Sequence, residues 1–195
     1  MSYTVIGNTR TRTFRVLWML EELGLAYDHQ LAPPRADAVR RVSPLGKVPV
    51  LMDGDAAIPD STAILTYLAD KHGALTAPAG SIARARQDAM TFRILDELDA
   101  VLWTAARHSF VLPEDQRVPA VKDSLRAEYA RNIAGIAAEI AGPFLMGDAM
   151  TVPDILLVHC ANWAQNAKFP DAPPALHDYA DRLRARPAYT AAFDK

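Results

Sequence analysis

Ser43-Pro44-Leu45-Gly46-Lys47-Val48-Pro49-Val50-Leu51-Met52-Asp53-Gly54-Asp55-Ala56-Ala57-Ile58-Pro59-Asp60-Ser61-Thr62-Ala63-Ile64-Leu65-Thr66-Tyr67 is the stretch around which the chain is organised. Val50, Leu51 and Met52 form a short apolar run that reads as a strand. Asp53-Gly54-Asp55 is a turn of the kind that joins hairpin strands, and Ala56 to Ile58 is the returning strand. A helix opens at Asp60-Ser61, with Ile64, Leu65 and Leu68 at helical spacing. Pro49 cannot donate to a ladder, so it belongs at the first residue of a strand or on an edge, where a cis bond is tolerated. A cis Val48-Pro49 bond would turn the Val48 amide and carbonyl outward, to pair with an extended peptide as an added strand. The helix start at Ser61 offers backbone N–H groups and the positive end of a dipole to a carboxylate. Asp60 beside it offers a negative charge to an ammonium. The stretch reads as a receptor for a small zwitterionic peptide.

Composition narrows the classes around this stretch. With 195 residues, half of them hydrophobic, the chain can build one large core or two small ones. A net charge of −2 and an isoelectric point near 6.2 give no footprint for nucleic acid or an anionic membrane surface. Arg10 with Arg12, Arg40-Arg41, and Arg182, Arg184 and Arg186 read as solvated faces and loops. No segment approaches the roughly 18 apolar residues that span a bilayer. Polar Asn8 to Thr13 occupies the place where a signal peptide has its apolar region, so a soluble cytoplasmic protein is expected. The single cysteine, Cys160, excludes an internal disulfide and a CxxC pair and reads as an inert core thiol. His108 and His159 have no carboxylate or cysteine cluster around them, so no metal is expected.

Upstream, Tyr3 to Ile6 alternates and is rich in β-branched residues, a first strand ending at Gly7. A polar loop from Asn8 to Thr13 leads into a helix from Phe14 to Gly24, with Phe14, Leu17, Trp18 and Leu20 on its apolar side. Tyr27 to Leu31 reads as a second strand, and Asp37 to Val42 as a short basic helix after Pro33-Pro34. The order βαβ, helix, ββα is that of a thioredoxin-like domain spanning 1–76. Residues 77–82, with Ala77-Pro78-Ala79-Gly80-Ser81, form the linker, and 83–195 is an all-helical domain. There, one long helix from Ile82 to Phe110 places Ala89, Phe92, Leu95, Leu98 and Leu102 along one side. A second, from Ala120 to Ala141, carries the stripe Val121, Leu125, Tyr129, Ile133, Ile136 and Ile140. Thr151-Val152-Pro153-Asp154 is a capping box opening a central helix through Ile155, Leu156, Val158, His159 and Cys160. Pro173 to Arg186 is a further helix, and Pro187-Ala188-Tyr189 starts a short last one.

Gly46-Lys47-Val48-Pro49 with Asp60-Ser61-Thr62-Ala63-Ile64 resembles the glutathione site of the glutathione S-transferase family, and the likeness extends over nearly the whole chain. The nearest pattern is that of bacterial cytosolic members of the serine/threonine type. The resemblance implies that Val48 and Pro49 bind the cysteinyl part of glutathione and that Asp60 and Ser61 bind its γ-glutamyl end. It also implies that the capping box steers folding of the helical domain and that the chain is a homodimer serving detoxification. Lys47 would contact the glycyl carboxylate or be solvated, and Asp60 would cap the helix as well as bind.

The chemical task is to stabilise the glutathione thiolate, because a thiol of pKa near 8.5 is only a few per cent ionised at neutral pH. Relatives place Tyr, Ser, Cys or Thr at the start of the first helix. Here the strand ends Val5-Ile6-Gly7-Asn8, Tyr3 is at the wrong end of the strand, and no cysteine is near. Counting back from Arg15, Thr11 falls where serine-type relatives carry their hydroxyl, and Thr9 where some threonine-type relatives do. Thr11 is favoured over Thr9, with Thr13 third. Arg12 or Arg10 would add positive potential, or be solvated. A hydrophobic electrophile as second substrate would meet Trp103, Arg107 and Phe110, with His108, Trp163 and Asn166 as weaker candidates; Trp103 and Phe110 would otherwise be core. Two rival readings remain: a glutathione-dependent reductase of disulfides or peroxides, and a non-catalytic ligand carrier on the same fold.

Overall fold

In the computed structural model, which describes residues 3–195, a four-stranded sheet is built from β1 (Tyr3–Ile6), β2 (Tyr27–Gln30), β3 (Val50–Asp53) and β4 (Ala56–Pro59). The strand order is β2-β1-β3-β4; β1 and β2 are parallel, while β3 is antiparallel to both β1 and β4. The parallel pair is joined by helix α1 (Thr13–Glu22), and α2 (Asp37–Val42) connects β2 to the hairpin. Only Gly54 and Asp55 separate the hairpin strands, with Gly54 at φ 59° as a tight turn requires. Pro59 ends β4 on the edge of the sheet, where its missing N–H costs no ladder bond. Helix α3 (Ser61–His72) completes the expected thioredoxin-like order.

α1 is more central than its apolar spacing predicts, because every residue from Thr13 to Leu20 is buried, Arg15 included. Its end is a Schellman motif: the Gly24 N–H bonds the Glu21 carbonyl and the Leu25 N–H bonds the Leu20 carbonyl, with Gly24 at φ 63°. One core cluster unites Ile6 of β1, Ala32 after β2, Val39 of α2 and Val50 of β3. The described residues up to Ala79 pack into one compact unit together with Leu183–Lys195, and Gly80–Arg182 forms the other.

The second unit is helical. It comprises α4 (Ile82–Ile94), a π-helical turn at Leu95–Asp99, α5 (Ala100–Ala106), a second π-helical turn at Arg107–Val111, α6 (Val121–Ala137), α7 (Val152–Asn166) and most of α8 (Pro174–Arg184). The helical run from Ile82 thus reaches Val111, with two wide turns within it. Its buried side is not the expected one: Ala89 is exposed and Phe92 is 65% exposed, whereas Gln87, Met90, Thr91, Ile94 and Leu98 are buried. Strict three-residue steps lag an α-helix by about 60° each, so Ala89 and Leu98 fall on opposite faces. On α6 the stripe Leu125, Tyr129, Ile133 and Ile136 is buried, but the helix ends at Ala137 and Ile140 lies beyond it.

Thr151 and Asp154 form the reciprocal capping box at the start of α7. The Asp154 carboxylate, fully buried, accepts from the Thr151 N–H (2.7 Å) and hydroxyl (3.1 Å), the Leu145 N–H (2.8 Å) and the Tyr179 hydroxyl (2.6 Å). Burial pushes its pKa above the ordinary aspartate value, against the downward pull of these four donors. Thr151 to Val158 are all buried, so α7 is the central helix of its unit. The last helix, α9 (Pro187–Phe193), belongs to the sheet-containing unit, where it packs on α1.

Candidate active site

The register of the sheet gathers the sequence-predicted residues at one end. Ile6 pairs with Val50 and with Gln30, and Val50 pairs with Pro59. The loop after β1, the Val48-Pro49 pair before β3 and the Asp60-Ser61 pair after β4 therefore lie at the same end of the sheet. Tyr3 is at the other end of β1, with its hydroxyl 2.9 Å from His72 Nε2.

The loop after β1 is a compact polar turn. Gly7, at φ 146°, has the Thr13 hydroxyl packed against it so closely that a Cβ there would lie 2.1 Å from Thr13 Oγ1. Its carbonyl is held by His29 Nε2 at 2.9 Å. The Asn8 side chain caps the Arg10 N–H, and the Asn8 carbonyl accepts from the Thr11 N–H (3.1 Å) and the Thr11 hydroxyl (2.8 Å). Thr11 Oγ1 is also 2.8 Å from Thr13 Oγ1 and accepts from the Thr13 N–H at 3.2 Å. A hydroxyl has one proton, so with the Thr11 proton on Asn8 it is Thr13 that donates to Thr11. Thr11 is half-buried and Thr13 fully buried; Thr9 and Arg12 are half-buried, and Arg10 is exposed.

Val48-Pro49 is a cis peptide bond, with Pro49 buried, Val48 half-buried against the core cluster and Lys47 exposed. Asp60 is the N-cap of α3 in a left-handed conformation, φ 72° and ψ 123°, a strained state for a residue with a side chain. Its Oδ1 accepts from the Thr62 N–H (2.9 Å) and the Ala63 N–H (3.1 Å), and Oδ2 accepts from none of the described residues. The expected row of available amides is thereby reduced, because Asp60 takes two of the first three. The Ser61 N–H receives no such cap. Sequence reasoning used Arg15 only as a landmark, yet its guanidinium is fully buried and donates through Nη1 to Ser61 Oγ at 3.3 Å. An arginine inside an otherwise apolar helix run is the signal that could have singled it out.

In the helical unit, Arg107, His108 and Phe110 share the second π-helical turn, a distortion of the kind often found at functional sites. Phe110 is 70% exposed, which excludes the core alternative for it; Trp103 is half-buried. Arg107 donates to the Thr104 hydroxyl (2.9 Å), and His108 Nδ1 accepts the Val118 N–H (3.1 Å), closing the loop that follows. On α7, Trp163 is half-buried and Asn166 exposed; Cys160 is fully buried, 4.0 Å from Asp99 Oδ2. Among the described residues no group of three or more His, Cys, Asp or Glu is placed to hold a metal ion, and no helix is long and apolar enough to cross a membrane.

Comparison with known proteins converges on one family. The pattern of the glutathione S-transferase N-terminal domain matches residues 13–78, and that of the C-terminal domain matches residues 98–187. The chain belongs to the glutathione S-transferase family. A segment aligned over 70 residues is 39% identical to glutathione S-transferase 3 of Schizosaccharomyces pombe, covering 32% of this chain and 28% of that relative's length. A theta-class glutathione S-transferase from Xanthomonas axonopodis pv. citri, solved with glutathione bound, is 26% identical with a TM-score of 0.79, covering 98% of this chain and 96% of that one. A glutathione transferase homolog from Lodderomyces elongisporus, solved with two GSH per subunit, shares the fold at a TM-score of 0.85 and 21% identity, covering 100% and 98%.

Proposed function

We propose that the chain is a glutathione transferase in which the Thr11 hydroxyl stabilises the glutathione thiolate. The observation that carries this reading is the placement of the Thr11 loop, cis-Pro49 and the Asp60-Ser61 helix start at one end of the sheet. A zwitterionic tripeptide has complementary groups for each: a thiol for Thr11, a backbone for Val48, and a γ-glutamyl carboxylate and ammonium for Ser61 and Asp60 Oδ2. Glutathione in structural relatives supports the choice of ligand. Lys47 and Arg12 supply positive charge to the glycyl end and to the sulfur.

In the chemical step the thiol loses its proton to solvent. Thr11 then turns its own proton from the Asn8 carbonyl to the sulfur, while Thr13 continues to donate to Thr11 Oγ1 and strengthens that bond. The thiolate attacks an electrophilic carbon, forming the S–C bond as a leaving group departs. One hydrogen bond to a charged acceptor contributes about 1.5–3 kcal/mol, roughly one to two pKa units. We assign the apolar electrophile to Trp103, Arg107 and Phe110, a role that exposed Phe110 supports. Ile82 and Phe92, 71% and 65% exposed on α4, support a second copy of the chain as partner. Cytoplasmic detoxification completes the proposal.

The test is the ultraviolet absorbance of the thiolate of bound glutathione as a function of pH. The wild-type protein is expected to lower the thiol pKa by about one to two units from about 8.5. Thr11→Ala should return it to the free value, with Thr9→Ala unchanged. The reverse pattern would move the role to Thr9, and no effect of either would remove the assignment. Disulfide reduction without conjugation of any aryl halide would favour the reductase instead.

A further inference from the structure

We infer that Arg15 is a positioning residue that aims the Ser61 hydroxyl proton at a ligand carboxylate, through the 3.3 Å bond from its buried guanidinium to Ser61 Oγ. The inference rests on the proposed glutathione site and adds to it a residue that never touches the ligand.

The argument is one of hydrogen-bond direction. A guanidinium only donates, so in the Arg15–Ser61 pair Ser61 Oγ is the acceptor. The proton on Ser61 Oγ must then point elsewhere, and among the described residues no acceptor is hydrogen-bonded to it. Ser61 is 2% exposed, so bulk water does not satisfy that donor, and an unused buried donor is costly until an acceptor arrives. Asp60 meanwhile spends Oδ1 on the Thr62 and Ala63 amides and leaves the Ser61 N–H uncapped. Two donors of one residue, its N–H and its O–H, are thus available together at the positive end of α3. A carboxylate has two oxygens to meet them, whereas an ammonium would meet only donors. Without Arg15 the Ser61 hydroxyl is free to rotate, and its oxygen lone pairs rather than its proton can face the ligand.

Arg15 is held for this task. It is on α1, where Thr13 to Leu20 are all buried, and α1 packs directly on α3. A long, fully buried side chain in such a position has little rotamer freedom, so the direction of its Nη1–H is set by the packing of the two helices.

The test compares calorimetric binding of glutathione with that of 4-aminobutyryl-cysteinyl-glycine, which lacks only the α-carboxylate of the γ-glutamyl residue. The wild-type chain is expected to prefer glutathione by about ten- to a hundred-fold, the scale of a hydrogen bond to a charged group. Arg15→Met and Ser61→Ala should each reduce the preference to a few-fold while leaving the affinity for the analogue nearly unchanged. A merely structural role for Arg15 would weaken both ligands alike, and that outcome overturns the inference. Full preference in Ser61→Ala overturns it too and decides the matter if Arg15→Met does not fold. Equal binding of both ligands by the wild type overturns the inference but spares the glutathione reading; binding of neither overturns both.

Discussion

Glu22 links the last helix to the first, and removing it gives a measurable account of what holds α9. Its carboxylate accepts Trp18 Nε1 at 2.9 Å and takes Arg186 through Nε and Nη2, both at 2.6 Å. The Glu22 side chain is 5% exposed and that of Arg186 36%, so the pair is bidentate and half shielded from water. Glu22→Ala leaves the indole N–H of fully buried Trp18 without this acceptor, at a cost of about 1–3 kcal/mol. Arg186 regains part of its hydration, so its loss falls below the range for a broken buried pair, at about 1.5–2 kcal/mol, and the sum is about 2.5–5 kcal/mol. Urea unfolding of the full chain, with a double-mutant cycle against Arg186→Met, reads the value and the coupling. The coupling is expected to be about 1.5–2 kcal/mol and nearly independent of salt, because one partner is shielded. A loss under 1 kcal/mol with no coupling, the behaviour of a surface ion pair, would refute the reasoning.

The Asp154 network supports a graded pair of substitutions. Tyr179→Phe removes one of four donors and should cost about 1–2 kcal/mol, whereas Asp154→Ala strands several buried donors and should cost about 3–5 kcal/mol, both read by chemical denaturation. A second measurement follows from the tyrosines. Burial, first of all, pushes Tyr27, Tyr129 and Tyr179 above the ordinary value of 10, with Glu21 and Asp154 adding to the shift at Tyr27 and Tyr179. Above pH 10 the unfolded chain releases protons that the native chain retains, so stability should fall as pH rises beyond 10 and be indifferent to these groups below it. Absorbance titration should show these three phenols ionising together with unfolding; smooth titration of all six tyrosines in a folded chain would contradict this.

The order of elements was readable because each has a local cause. β1 is a short β-branched run that ends at Gly7, β3 and β4 turn at Gly54, α1 stops at Gly24, and Thr151-Val152-Pro153-Asp154 announces α7. The Val48-Pro49 and Asp60-Ser61 pairs were readable for the same reason: their residue types carry backbone consequences. Arg15 was passed over because a spacing argument treats an arginine in a helix as solvated; its place within an apolar run was the available signal, and its burial comes from α1 being covered on all sides. The buried face of the helical run from Ile82 was misplaced because Gln87, Thr91 and Asp99 are polar residues turned inward, while Phe92 is an aromatic turned out. Counting favoured Thr11 over Thr9 without excluding Thr9; the bonds of Thr11 to Asn8 and Thr13, invisible to counting, belong to a turn whose shape depends on Gly7.

The packing of α9 on α1 bears on the order in which the molecule can be made. Phe14 and Trp18 meet Tyr189 with ring centroids 5.0 Å away in each case, and Phe193 joins them at 6.5 Å from Phe14. These partners are far apart along the chain, Phe14 and Trp18 before the helical unit and Tyr189 and Phe193 after it. A ribosome that has released the sheet, its hairpin and α3 has still not supplied the aromatic cover of α1, and must translate the whole helical unit first. During that interval one flank of Phe14 and Trp18 is bare, an apolar surface of the kind chaperones hold. A fragment ending at Ala79 would keep that surface permanently, and supplying Leu183–Lys195 as a separate peptide should quench it.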